Sequence, residues 1–144
     1  MFIDPLGLGE KWKDYKTVGN TFTLLRANSM ANEALVAARE WAKERHLPGQ
    51  HNGAPDAFRH CFWSCTMAQY LGEGVAETIA DEHEKEGNRH GQPHNEELMD
   101  RANNLVGRTC AARNKNRNCW DACTDRYNQG LLFGMGAQPL VPNP

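Results

Sequence analysis

An all-α domain of about five helices is what this sequence predicts. Three observations carry that reading. Apolar residues recur at helical rather than alternating spacing, Gly and Pro fall where helices would start and stop, and no run reads as a strand. The chain has 144 residues, which suits one domain around one core, and it contains no internal repeat.

Residues 1–27 form a lead segment with Trp12, Tyr15, Phe22 and Leu24–Leu25. A first helix is predicted over 29–45: Ser29 can cap it, Glu33 follows, and Ala, Leu, Val and Trp41 recur at helical spacing. Leu47-Pro48-Gly49 would end it, and 50–54 would be a loop. A second helix is predicted from Pro55 to Leu71, with proline in the first turn and Gly72 at the end. A third would run from Gly74 to Glu86 and stop at Gly87. Residues 87–94 read as a polar loop with His90 and His94. A fourth helix would start at Asn95 and reach Ala112, and a fifth would span Asn118 to Phe133. The tail, Gln138–Pro144, holds three prolines and should be extended. The helical domain is therefore set at 28–137.

Apolar content is 40%, net charge is −2 and mean hydropathy is −0.72. That balance gives no basic footprint for nucleic acid, so nucleic acid is not the favoured partner. Arg113, Lys115 and Arg117 form one short basic cluster that reads as a solvated loop. No apolar run reaches the length of a transmembrane helix, and no signal peptide opens the sequence, so export would need another carrier.

Five cysteines are present: Cys61, Cys65, Cys110, Cys119 and Cys123. Two pairs are spaced i, i+4 on predicted helices. If the helices are antiparallel, Cys61 can pair with Cys123 and Cys65 with Cys119, and each bridge would contribute about 2–4 kcal/mol. Four reduced buried thiols and a zinc site are the other two readings of the same spacing. Disulfides would imply an oxidising compartment.

Three predicted helices carry polar residues where a core-facing helix should be apolar. Asp56, Arg59, His60 and Trp63 share one face of the second. Asp81 and Glu84, with His83 beside them, mark the third. Asp100, Asn103, Asn104, Gly107 and Arg108 share a face of the fourth. Gly107 inside a helix costs about 1 kcal/mol relative to Ala, which suggests close approach of another backbone or a ligand. If the faces meet, the bundle has a polar centre equipped for general acid–base or metal-assisted hydrolysis.

In that centre His60 or His83 would act as base or ligand. Glu84 and Asp100 would be ligands or orienters, and Asp81, His83 and Glu84 would hold a divalent metal. Arg59 and Arg108 would clamp an anion. Asn103 and Asn104 would orient a water or stabilise an oxyanion, and Asp56 and Trp63 would contact substrate. The plainer reading makes Asp56 a first-turn carboxylate favoured by the helix dipole and the acidic residues of the third helix a solvated face. His90 and His94 are a second possible ligand pair. Ser64 lacks a nucleophile-elbow context, and Cys61 next to His60 is a weaker nucleophile candidate.

Ile3-Asp4-Pro5-Leu6-Gly7-Leu8 resembles the Asp-Pro-x-Gly-Leu signature that ends the conserved core of Rhs and related YD-repeat polymorphic toxins. The resemblance implies that the chain is the C-terminal toxin of a larger secreted polypeptide with a cage-forming core, and that Met1 is not its natural start. It implies delivery into a target bacterium, as in type VI secretion, and a cognate immunity protein. Asp56-Ala-Phe-Arg-His-x-x-Trp63, Asp81-x-His-Glu84 and Met99-Asp-x-x-Asn-Asn-x-x-Gly-Arg108 also resemble a helical domain of secreted bacterial polymorphic toxins. That likeness spans residues 54–108 and supports the same site residues without implying a reaction.

The expectation is an antibacterial effector, a hydrolase acting in the target periplasm on a phosphate-containing lipid or cell-wall precursor. A metal-dependent nuclease acting in the cytosol is the first alternative. A non-enzymatic membrane-disrupting or binding module is the second.

Overall fold

The computed structural model describes residues 21–47, 52–113 and 117–142. The signature at 3–8 and most of the lead segment lie outside them. Five α-helices follow in order: α1 Thr21–Glu44, α2 Ala54–Leu71, α3 Glu73–Arg89, α4 His94–Arg113 and α5 Cys119–Asn128. A short 3-10 turn, Met135–Ala137, follows them. The all-α prediction holds.

Helix α2 is the hub, packing on each of the other four helices. Helix α1 is antiparallel to it: Ala27 meets Trp63 and Trp41 meets Phe58. Helix α4 runs in the same direction as α2, with Ser64 meeting Asn104 further along than His60 meets Asp100. Helix α3 returns between them, so Asp81 pairs with Arg101 and Asn88 with Glu97.

Two apolar clusters flank α2. Leu24, Met30, Trp63, Met67 and Ile79 join α1, α2 and α3. Trp41, Phe58, Met99, Tyr127 and Leu132 join α1, α2, α4 and α5. Trp41 is fully buried and stacks on Phe58 with ring centroids 4.4 Å apart, while Tyr127 meets it edge-on. Truncating such a residue costs about 3–5 kcal/mol.

Cys61 is bonded to Cys123, and Cys65 to Cys119, with Cα atoms 6.0 and 5.8 Å apart. The two bridges pin α5 antiparallel to α2. Cys110 is free and buried.

Three boundaries differ from expectation. Helix α1 starts at Thr21, because the buried stripe begins at Leu24 and continues through Ala27 and Ala31, leaving Ser29 on the exposed face of a helix already formed. Helix α3 runs through Gly87 to Arg89. Helix α5 stops at Asn128, although Asn118 caps it as expected by accepting from the Asp121 amide at 2.8 Å. Gly130, at φ 73°, turns the chain, and the following segment doubles back through an antiparallel bridge between Phe133 and Pro139.

Candidate functional site

Helix α2 opens with Asp56 in its first turn, where the helix dipole favours a carboxylate. Asn52, at φ 60°, turns its backbone N–H onto Asp56 Oδ2 at 3.1 Å. Arg59 donates to Asp56 Oδ1 through Nε at 3.0 Å and Nη2 at 2.6 Å. One turn further, His60 points at α4. Its Nδ1 lies 3.2 Å from Asn104 Oδ1, and Ser64 donates to the same oxygen at 3.1 Å. An amide oxygen only accepts, so in the tautomer with the proton on Nδ1 this contact is a hydrogen bond and Nε2 presents its lone pair.

That lone pair faces Asp100 Oδ1 at 3.2 Å and Asp56 Oδ1 at 3.8 Å, with Arg59 Nη2 at 3.4 Å. Asp100 is 7% exposed, and its Oδ1 has no hydrogen-bond donor. Its other oxygen accepts from Gln92 Nε2 at 3.0 Å. One donor atom each from Asp56, His60 and Asp100 lie within 4.8 Å of one another. Among the described residues this is the set of side chains spaced to share a metal ion.

The close approach of α2 and α4 depends on Gly107. A Cβ there would overlap the Cys61 carbonyl oxygen and sit 2.9 Å from the Cys65 nitrogen and from Ser64 Cβ. Of the two readings of this glycine, close approach of another backbone is the one observed, and that approach brings His60 within reach of Asp100 and Asn104.

Burial sets the electrostatics. Desolvation, reinforced by the Arg59 charge, pushes His60 down to about 3, so it is neutral at pH 7. The same two causes bring His83 down to about 4. Desolvation and then the Asp100 charge push Glu84 up to about 8. Desolvation and then the Asp56 charge push Asp100 up to about 7. Burial alone would raise Asp56, but its neighbours' charges, with Arg59 on Oδ1 and the Asn52 amide on Oδ2, hold it below the usual range. Two carboxyls facing one imidazole are thus driven in opposite directions, a pattern of acid–base sites.

The structure brings Asp56, Arg59, His60, Asp100 and Asn104 together as expected. Glu84 is 1% exposed, and its Oε2 has no hydrogen-bond partner. His83 has an unpartnered buried Nδ1 and packs edge-on against Trp63, with centroids 5.6 Å apart. The expected metal set of Asp81, His83 and Glu84 does not form. Asp81 turns outward to pair with Arg101 at 3.1 Å, because the buried face of α3 runs through Ala76, Ala80 and Glu84.

Two expected site residues are structural instead. Trp63 is buried and donates to the Ala27 carbonyl at 3.1 Å, bracing α1 on α2. Asn103 is fully buried and grips Phe133 from both sides, donating to its carbonyl at 2.9 Å and accepting from its N–H at 2.9 Å. Arg108 is buried one turn beyond Asn104 and makes no hydrogen bond or ion pair with Asp56, His60 or Asp100. His90 and His94 stay exposed, each 3.6 Å from a carboxylate one turn away, and form no shared site. Ser64 is fully buried and serves Asn104. Sequence reasoning missed Gln92 and Asn52, which position the two carboxylates.

Residues 16–130 match a protein family described as a domain of unknown function, DUF6973. No solved structure matches the chain.

Proposed function

The chain belongs to the DUF6973 family, a domain of unknown function, so its activity has to be read from its site, and we propose that it is a hydrolase. In this reading it is the C-terminal toxin of an Rhs-type polypeptide. It acts in the periplasm of a target bacterium on a phosphate-containing lipid or cell-wall precursor, and a cognate immunity protein restrains it.

One observation carries the chemistry. The lone pair of His60 Nε2 and the donorless Asp100 Oδ1 face each other at 3.2 Å beside the Asp56–Arg59 pair. Such a set activates water, either by taking its proton or by holding it on a cation. Arg59 is 33% exposed at its side chain and is the cation of the set that reaches the surface, so it meets an incoming anionic group. Asn104 and Ser64 fix the imidazole, and Gln92 and Asn52 fix the carboxylates.

Two further features support the compartment. Paired cysteines persist where the surroundings are oxidising, and both bridges of this fold join the site helix to α5. A net charge of −2 disfavours a polyanion such as nucleic acid.

The test is expression in bacteria with and without an export signal, for the wild type and for His60→Ala and Asp100→Asn. Growth should stop only on export, and both substitutions should restore it. Inhibition only without export would move the target to the cytosol and favour a nuclease. Full inhibition by both variants would leave a non-enzymatic module.

A further inference from the structure

We propose that Asp56, His60 and Asp100 bind a divalent transition-metal ion of the zinc or manganese class, at the place where the Arg59 guanidinium now sits. This deepens the hydrolase reading and rests on it for the ion's role in activating water.

The geometry is that of a three-ligand site. Ligand atoms about 2.0–2.2 Å from a shared ion lie roughly 3–3.6 Å from one another. His60 Nε2 is 3.2 Å from Asp100 Oδ1 and 3.8 Å from Asp56 Oδ1, and all three ligand atoms lie within 4.8 Å of one another, so binding would draw the set inward. Two carboxylate oxygens and one imidazole nitrogen suit zinc or manganese better than calcium, which prefers six to eight oxygens.

The atoms behind the ligands strengthen the case. Each of the three side chains has its other polar atom held by a partner outside the set. Asp56 Oδ2 accepts from the Asn52 amide, Asp100 Oδ2 accepts from Gln92, and His60 Nδ1 donates to Asn104. Metal-binding imidazoles and carboxylates are typically oriented this way, through the atom turned away from the ion. Of the inward atoms, Asp56 Oδ1 is taken up by Arg59, whereas that of Asp100 is underused. Asp100 Oδ1 is buried and takes no hydrogen bond, although it aims at the lone pair of His60.

Two electron-rich atoms face each other at that distance only where a proton or a cation lies with them. Arg59 Nη2 brings a cation to the set, 2.6 Å from Asp56 Oδ1 and 3.4 Å from His60 Nε2. Arg59 is partly exposed, so its guanidinium has a path to solvent, where it would turn to an anionic substrate.

Arg59 as a stand-in cation gives the proposal a signature that a purely structural cluster lacks. Removing Arg59 should tighten metal binding, on the order of tenfold for one nearby unit charge. Removing a ligand should abolish measurable binding, since losing a partner behind the ligands already weakens it about 10–100-fold. Titration calorimetry with Zn²⁺ and with Mn²⁺, on EDTA-dialysed protein, would measure both. The expected result is one ion per chain, tighter in Arg59→Ala and lost in Asp100→Asn and in His60→Asn, all with unchanged circular dichroism.

No binding by the wild type or by Arg59→Ala would overturn the proposal, as would binding that survives both ligand substitutions. These failures are separable from failure of the hydrolase reading. If no ion binds yet His60→Asn abolishes growth inhibition, the hydrolase stands and the ion falls. If the ion binds at these ligands yet His60→Asn still inhibits growth fully, the site stands as a metal site and the hydrolase falls.

Discussion

His60 Nδ1 lies 3.2 Å from Asn104 Oδ1, and this one contact decides which imidazole nitrogen faces Asp100. Asn104 is 1% exposed and also receives the Ser64 hydroxyl, so one amide oxygen holds two donors on the neighbouring helix. Asn104→Ala would leave both donors buried and unpaired, at a cost of about 1–3 kcal/mol each. It would also free the ring to change tautomer. Growth inhibition by the exported protein should fall on the order of 10–100-fold. Asn104→Asp keeps an acceptor oxygen and should retain more of it than Asn104→Ala. Equal loss in the two variants would mean that tautomer control is not what Asn104 supplies.

The seam between α2 and α4 makes a sharper structural prediction. A Cβ on residue 107 would collide with the Cys61 carbonyl oxygen, which is backbone and cannot swing aside. Gly107→Ala should destabilise the fold by at least about 1–3 kcal/mol through overpacking. It should also move His60 away from Asp100. Denaturant unfolding reads the first effect, and the loss of growth inhibition reads the second. Full stability with full activity would show that the seam has slack.

The disulfides lend themselves to a direct comparison. Cys61–Cys123 and Cys65–Cys119 close segments with sequence separations of 62 and 54, and each should contribute about 2–4 kcal/mol. Reduction should therefore lower the urea midpoint markedly. The paired substitution Cys65→Ala with Cys119→Ala should lower it by about half as much. A thiol titration of the oxidised, denatured protein should find Cys110 alone. Five free thiols would remove the bridges.

Much of this arrangement was legible because helix punctuation and facial polarity are local signals. Pro55 and Gly72 bracket α2 within a residue of its ends, and Asp56, Arg59 and His60 share a face by spacing alone. The i, i+4 cysteines gave the pairing that forms. The illegible parts depend on contacts between distant segments. Asp81 and Glu84 are three apart and looked equivalent, yet only Glu84 continues the buried stripe of Ala76 and Ala80. Asn103 looked like a site amide because the segment that it grips, around Phe133, read as more of the last helix. No spacing rule links Gln92 to Asp100 across a turn.

Stability should follow pH in a particular way, because buried carboxyls and buried imidazoles act in opposite senses. Glu84 and Asp100 are raised from 4.5 to about 8 and from 3.8 to about 7, so the folded state keeps protons that the unfolded chain releases. Their contribution is complete at low pH and is lost as pH rises through the folded values. His60 and His83 fall from 6.5 to about 3 and about 4, so their contribution is present above 6.5 and is lost as pH falls. Between about pH 4.5 and 6.5 the two effects offset. From 6.5 to 8 the carboxyls act alone, and stability should fall, on the order of 1 kcal/mol per pH unit. Melting temperatures recorded in EDTA across that range should decline for the wild type and decline less for Glu84→Gln. An equal slope in both proteins would remove Glu84 as the cause.

Gly87 was expected to end α3, but its position matters for what lies beneath it. The helix continues past it, and the Gln92 backbone N–H donates to its carbonyl at 2.8 Å. A Cβ on Gly87 would come within 2.6 Å of Gln92 Oε1, so only glycine leaves room for the Gln92 side chain as it reaches Asp100. The obstructed atom is the end of a flexible side chain, which can move at little cost to the fold. Gly87→Ala should therefore leave the melting temperature nearly unchanged while displacing Gln92 and releasing Asp100 Oδ2. Gln92→Ala should reproduce the defect by removing the donor directly, and both should reduce growth inhibition on the order of 10–100-fold. The double variant should be no worse than either single one, because both act through the same hydrogen bond. Additive losses would mean that Gly87 serves the site by another route.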